Sequence, residues 1–482
     1  MRRAYLLSFG TIALAAGVAC ATSDDEGATL LPVNDAGATA VPEAESPSGD
    51  AAADDGPVRP PSPCNDAGWC ATELPDPDLV LKDIWPFEER AFAIAESDSL
   101  GTKVLEWTES TKSWAYVDDN SQNAYGSGHY AGKVWAPSET EIYYTTAPAL
   151  VYRGTRATPG SPFSWESTRL EYEGPDLGPD RDPGRPWRRR DVILGPTEYV
   201  PALGVWGTSG DDVYAWYGSR IFHRKSVDGG APTWVAEHVE EDVDGPEESF
   251  YIFGAAGSSR DDVWFVGSHG RYDPTHGLIA CSTLIRRTPD GYTRVMDHAL
   301  TSDFPGSYAC MPKPESLALT FEIEIPGWGT YSSPWTETGW ATSVDSPRPG
   351  TAVALVNHGY FAFIDTAGPG MARYNFVAVN TPTLTGEPNL QSVWIHEDRA
   401  WFSGWGLVID SENNPDSWAR CYGLQPPEEL AQLGIDGGAK FSVSSTTFNG
   451  TPLDRPLYQV RGSSNKNLWA VGPRYALHKK TP

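Results

Sequence analysis

After residue 64 the apolar residues fall in short runs of about four to six, alternating or continuous, broken by Gly, Ser, Asp, Asn and Pro. That is the signature of strands joined by tight turns. One such run recurs. VWGTSGDDVYAW at 205–216 returns as AGSSRDDVWFVG at 256–267 and as RGSSNKNLWAVG at 461–472. More worn copies begin at Ile84-Trp85, Val134-Trp135 and Val393-Trp394. In all six, the apolar residue opening the next strand lies seven after the anchor: 85/92, 135/142, 206/213, 256/263, 394/401 and 461/468. The gap from 256 to 394 is twice the usual spacing, so a seventh copy is expected there, with Thr351 to Ile364 supplying its two central strands.

Each unit reads as four strands. The first ends at the anchor, a Gly/Ser/Asp stretch turns the chain, the second is Val213 to Tyr217, the third Ile221 to Arg224, and the fourth opens at Trp234. Four strands in units of 50 to 71 residues predict a β-propeller rather than a parallel β-helix, whose repeats are far shorter. Seven units predict a seven-bladed, all-β propeller of four-stranded antiparallel blades. The last unit stops after its third strand, at Lys480-Thr481-Pro482, while Gly68-Trp69-Cys70-Ala71-Thr72 carries a Trp like those opening fourth strands at Trp114, Trp165, Trp234 and Trp418. Residues 68–74 are therefore expected to complete the last blade and close the ring, which leaves no open edge.

Composition agrees. The chain has 19 Trp, 48 Gly, 41 Pro and only 4 Met in 482 residues, a bias toward strands and turns. Its formal charge of −28 excludes nucleic acid and anionic membrane surfaces as partners, since like-signed fields repel phosphate.

The N-terminus has its own organisation. Met1-Arg2-Arg3 precedes an uncharged apolar run from Ala4 to Ala19, the layout of a signal peptide (residues 1–19) and too short for a spanning helix. Gly17-Val18-Ala19-Cys20 resembles a bacterial lipobox, which implies a lipid on Cys20 and, with Ala21 following, outer-membrane sorting. Residues 20–63 hold nine acids and one base, Arg59, among Ala, Pro, Gly, Ser and Thr, and are expected to form a disordered tether. The folded unit is 64–482.

Two families resemble the repeat. Ser226 to Trp234 and Ser411 to Trp418 resemble the Asp-boxes of sialidase-type propellers, where the acid caps an outer hairpin. The Trp-Gly-x-Ser-x-x-Asp-Val-Trp units, with Cys64 and Gly68-Trp69-Cys70 ahead of them and a lipoprotein signal before that, look like the propeller lipoproteins of myxobacteria. Both resemblances imply fold and are nearly silent on activity.

Candidate chemistry is sparse. The sialidase Arg-Ile-Pro motif is absent, the corresponding segment reading Ile84-Trp85-Pro86-Phe87. Arg185, Arg188, Arg189 and Arg190 form the one basic run and are an anion-binding candidate, weighed against a solvated loop. The Asp pairs 211/212 and 261/262 and Asp228 read as turn caps. None of the nine His has ligand spacing, so no metal and no cofactor is expected; nor is there a nucleophile elbow or phosphate loop. Cys64 and Cys70 are a disulfide candidate on the closing strand; Cys281 and Cys310 are the others, and Cys421 is left over, placed beside Trp418. A short surface helix is expected at Pro427 to Leu433. The expectation for function is a monomeric, non-enzymatic outer-membrane lipoprotein that binds a protein or glycan of the cell envelope. A degenerate glycosidase or lyase acting in the central channel is the alternative.

Overall fold

The computed structural model describes residues 63–124, 130–147, 149–170, 201–226, 228–240, 248–273, 277–304, 307–325, 329–334, 336, 338–357, 359–376, 389–413 and 441–480. Cys20, the arginines 185–190, Cys421, Trp418 and the expected helix at 427–433 lie outside the described residues.

Seven antiparallel sheets are strung along the chain. Blade 1 is Val80–Pro86, Arg90–Ser97, Gly101–Thr108 and Ser113–Tyr116; blade 2 is Ala131–Ser138, Glu141–Thr146, Leu150–Thr155 and Ser164–Arg169. Blade 3 is Leu203–Ser209, Asp212–Tyr217, Arg220–Lys225 and Thr233–Val239; blade 4 is Ser249–Ser259, Asp262–Asp273, Gly277–Thr288 and Gly291–Met296. Blade 5 is Ala341–Asp345, Thr351–Val356, Tyr360–Asp365 and Met371–Phe376, and blade 6 is Ser392–His396, Arg399–Gly404, Leu407–Glu412 and Phe441–Ser445. Blade 7 is Gln459–Ser464, Asn467–Gly472 and Tyr475–Lys480, with Cys70–Ala71 as its fourth strand. The first strands touch in succession round the ring, and Gln459–Ser464 lies against Val80–Pro86 to close it. The fold is the seven-bladed propeller that the repeat predicts.

Second strands are buried on both faces, because each blade is covered by a neighbour on either side. Asp212–Tyr217, Thr351–Val356 and Asn467–Gly472 are buried along their whole length. Continuous apolar runs follow from that position, as they do in any doubly covered sheet. One apolar cluster fills each of the seven seams between blades.

Closure uses very little ladder. Cys70 pairs with His478 and Ala71 with Leu477, and the Thr72 amide donates to the Ala476 carbonyl. The rest is side-chain work. Trp69 is 0% exposed among Val408, Leu457, Leu468 and Leu477, and its Nε1 donates to Ser444 Oγ of blade 6 at 2.8 Å. Thr72 Oγ1 donates to the Ala476 carbonyl and accepts from Trp114 Nε1 of blade 1. Residues 69–72 thus touch blades 6, 7 and 1. A Cys64–Cys70 disulfide (2.05 Å) staples this closing segment, and Cys281–Cys310 (2.09 Å) ties blade 4 to the stretch that follows it.

Two features depart from the sequence reading. The seven-residue offset does not mark equivalent positions in all copies. In blades 1 and 6 it names true partners, Trp85 with Phe92 and Trp394 with Trp401. In blades 3, 4 and 7 a β-bulge moves the pairing to the eighth residue: Trp206 with Tyr214, Ala256 with Trp264, Arg461 with Trp469. Blade 2 does likewise, Trp135 with Tyr143. A slip of one residue turns a strand over, so Phe92 and Trp401 correspond to Tyr143, Tyr214, Trp264 and Trp469, all of which face the next blade.

The second departure lies between blades 4 and 5. His298–Phe304 pairs with Ser307–Pro312, and Leu319–Ile325 pairs with Gly329–Pro334. Leu319 and Thr320 then run parallel to Ala372 and Arg373, so that blade 5 becomes a six-stranded sheet.

Candidate functional site: the central channel

The first strands line a narrow axial cavity, partly open to solvent, to which all seven blades contribute. Five of the residues two before the anchors line it, Asp83, Lys133, Gly254, Thr342 and Gln459, and the equivalents in blades 3 and 6 are Gly204 and Ser392. Gly204 has a steric reason: a Cβ there would meet the Trp216 indole at 2.1 Å, so the glycine lets that ring underlie the strand and reach the channel wall. Glycines after the anchors have a related one. A Cβ on Gly257 would lie 2.8 Å from Trp206 of the preceding blade, and one on Gly462 would lie 2.7 Å from Trp394. The Trp-Gly pairing in the repeat is thus a contact between neighbouring blades.

Charge in the lining is concentrated at the blade 7–1–2 junction. Asp83 is 1% exposed; its Oδ2 accepts from the Val134 amide at 3.0 Å, and its Oδ1 has no hydrogen-bond partner among the described residues. The Arg461 guanidinium stands 3.6 Å from Asp83, donates to the Ile84 carbonyl at 2.9 Å, and lies 4.5 Å over the Trp85 ring. Lys133 faces both. Burial pushes its ammonium below its ordinary value, Asp83 pulls it back up and Arg461 pushes it further down. Nearby Asp345 accepts from the Ile395 and Ser346 amides, but burial outweighs them and lifts its carboxyl to about 6. Trp216 Nε1 is a second buried lining atom without a hydrogen-bond partner among the described residues.

The remaining candidates serve the fold. The Asp pairs divide: Asp211 and Asp261 are exposed, whereas Asp212 and Asp262 are buried and do more than cap a turn. Asp212 accepts from Thr208 and from His223 Nε2 at 3.0 Å; Asp262 accepts from Ser258 (2.9 Å), Arg286 (2.6 Å) and the Gly350 amide of blade 5 (2.8 Å). Equivalent diagonal pairs recur, each flanking the aromatic residue that faces the next blade. They are Arg90–Glu106, Glu141–Arg153, Arg399–Asp410 and Asn467–His478. Blade 5 replaces the pair with Thr351 and Phe363. Several pairs also reach across the seam, as where Arg156 of blade 2 grips both Glu106 oxygens and Asn467 donates to the Phe87 carbonyl of blade 1. Asp228 stands in the left-handed region, in the turn between the third and fourth strands of blade 3. No group of three or more His, Cys, Asp or Glu suited to a metal ion occurs among the described residues.

No protein-family model matches the chain, and no curated protein matches it. Among solved structures, YCF48 from Cyanidioschyzon merolae aligns over 86% of this chain and 99% of its own, at 13% identity and TM-score 0.46. YCF48 bound to D1 peptide aligns over 88% and 98%, at 13% identity and TM-score 0.49. A GH93 alpha-L-arabinofuranosidase of Fusarium graminearum, in complex with arabinobiose, aligns over 69% and 92%, at 11% identity and TM-score 0.36. Likenesses at these values carry neither a partner nor an activity over to this chain.

Proposed function

We propose that the protein is a non-enzymatic binding propeller, held at the bacterial outer membrane by a lipid on Cys20 and displayed on the tether of residues 20–63. Its partner is a protein or glycan of the cell envelope. One observation carries the binding role: among the described residues lining the channel, Asp83 is the single carboxylate, and it already faces Arg461 and the Val134 amide. Most glycoside hydrolases use two carboxyl groups, about 5 Å apart for retention or roughly 6.5–9.5 Å for inversion. The lining does not present that pair. The lipobox resemblance at Gly17 to Cys20 and the acidic, Pro/Ser-rich composition of the tether support the address.

Affinity capture of the purified chain against envelope extract, together with a glycan array, tests the role. Saturable binding to one protein or one glycan class, without turnover of an aryl-glycoside panel, is the expected result. Hydrolysis of any of those glycosides would overturn it. The Cys20→Ser variant should leave the membrane fraction in the native host, and unchanged fractionation would overturn the anchor.

A further inference from the structure

We propose that the central channel is a binding site for a small carboxylate, held between the Lys133 ammonium and the Arg461 guanidinium. The proposal deepens the binding role above and rests on it. The argument is a count of unmet groups and charge. The lining carries two cations and one anion, in a chain whose overall formal charge is −28. Two buried lining atoms have no hydrogen-bond partner among the described residues, the donor Trp216 Nε1 and the acceptor Asp83 Oδ1. Lys133 is half-buried, and its ammonium makes no hydrogen bond and no ion pair within 4 Å among the described residues. The surplus is therefore one of charge, a second cation with no anion of its own, and a wall of this kind is complementary to an acceptor-rich anion.

The geometry fixes the fit. Arg461 cannot swing away, since it is stacked on Trp85 and bonded to the Ile84 carbonyl. Asp83 is likewise held by the Val134 amide. Lys133 is the mobile member, with a flexible stem and three donors. A carboxylate has two oxygens with four acceptor sites, enough to meet Lys133 on one side and Arg461 or the Trp216 indole on the other. The same group arrives free in solution or as the C-terminus of a peptide, and the experiment separates the two.

The full chain, with its lysines carrying ¹³C-dimethyl labels, is titrated with acetate at constant ionic strength and followed by NMR. One resonance, absent from Lys133→Met, should shift saturably with a millimolar dissociation constant, and its titration midpoint should rise as acetate binds. Asp83→Asn removes the competing anion and should tighten acetate about five- to tenfold; it also decides the matter should Lys133→Met fail to fold. Parallel titrations with a short peptide and its C-terminally amidated form distinguish the sources: tighter binding by the free-acid peptide than by acetate assigns a chain terminus. No shift at saturating acetate, an equal shift in Lys133→Met, or a response to methylammonium instead of acetate would overturn the proposal. Envelope-partner capture that survives Lys133→Met would show that only the carboxylate site had failed.

Discussion

Blades 3 and 7 carry two of the best-preserved copies of the repeat and place a histidine at the same point of the third strand. His223 stacks on Tyr214 at 4.3 Å and 9°; His478 stacks on Trp469 at 4.1 Å and 7°. Each meets the residue that opens the second strand, Asp212 in one case and Asn467 in the other. That exchange of carboxylate for amide, together with Glu237 on the other ring nitrogen of His223, reverses the electrostatics. Burial lowers both imidazoles, but at His223 the hydrogen bonds to Asp212 and Glu237 outweigh it and raise the ring above its ordinary value. At His478 burial wins over Glu109, whose carboxylate lies 3.8 Å from Nδ1, and takes the ring down to about 4. The blades also differ at their outer edge. Blade 3 has its own fourth strand, Thr233–Val239, whereas blade 7 borrows two residues from the other end of the chain. Equal stacking geometry therefore says little about the charge a site will carry; the partner decides it.

The largest effect expected from this contrast is at the borrowed strand. With only two ladder pairs, closure rests on the buried indole of Trp69. Trp69→Ala should cost about 3–5 kcal/mol, measured by urea denaturation. The counterpart in blade 3, Trp234→Ala, removes a half-buried ring from a strand held by six paired residues and should cost about half as much. Equal losses at the two sites would mean that the ring does not depend on its closing strand.

Blade number, the closing strand and the half-cystines were legible because they are periodic, or stand where the period is broken. What was not legible has physical reasons. The hairpins between His298 and Pro334 have no counterpart elsewhere in the chain, so self-similarity is silent about them. The register of blades 1 and 6 was hidden because a bulge consumes one residue: an anchor-to-strand count of seven is the same with or without it, while the facing residue is not. The channel charges Asp83 and Lys133 sit where other blades have Gly, Thr, Ser or Gln, and repeats are found from what they share. A lone charge at an otherwise small or neutral first-strand position was the available signal. The diagonal pairs could have been found as well, since a charge opening one strand is answered by its complement on the next in blades 1, 2, 4 and 6.

A smaller effect separates the histidines through pH. Below about pH 6.5 the unfolded chain protonates His478, but the folded chain resists until about pH 4, so stability falls as pH drops through that window. Between pH 7 and 5 the loss is about 2 kcal/mol from this ring alone. His223 acts with the opposite sign: its contribution is complete below its unfolded value and disappears as pH rises through the raised folded one. His478→Gln should therefore flatten the acid side of a stability–pH curve by about 2 kcal/mol at pH 5, and His223→Gln should flatten the neutral side. Both are checked by denaturation from about pH 3.5 upward through the neutral range, which takes in the folded His478 transition. A curve unchanged by either substitution would show that neither ring is linked to folding.

The smallest effect comes from exchanging the partners. In Asp212→Asn the His223 ring loses its anionic acceptor but keeps Glu237, so its titration midpoint should fall while remaining above that of His478. In Asn467→Asp the His478 ring gains an anion, and its midpoint should climb from about 4 by about two units, which at pH 5 favours the folded protonated form by about 1.4 kcal/mol. The second exchange has a counter-cost, because Asn467 Nδ2 donates to the Phe87 carbonyl across the blade 7–1 seam and a carboxylate there has no proton to give. At pH 7, where His478 is neutral, only that cost is felt, and Asn467→Asp should be destabilised by about 1–2 kcal/mol. At pH 5 the new ion pair forms and offsets the lost bond, so the variant should draw level with the native chain or pass it. Imidazole NMR titrations read the midpoints and denaturation at the two pH values reads the crossover. If Asn467→Asp is destabilised equally at both, the amide at this position serves only its bond to blade 1, and the charge of the partner is not what distinguishes the two histidines.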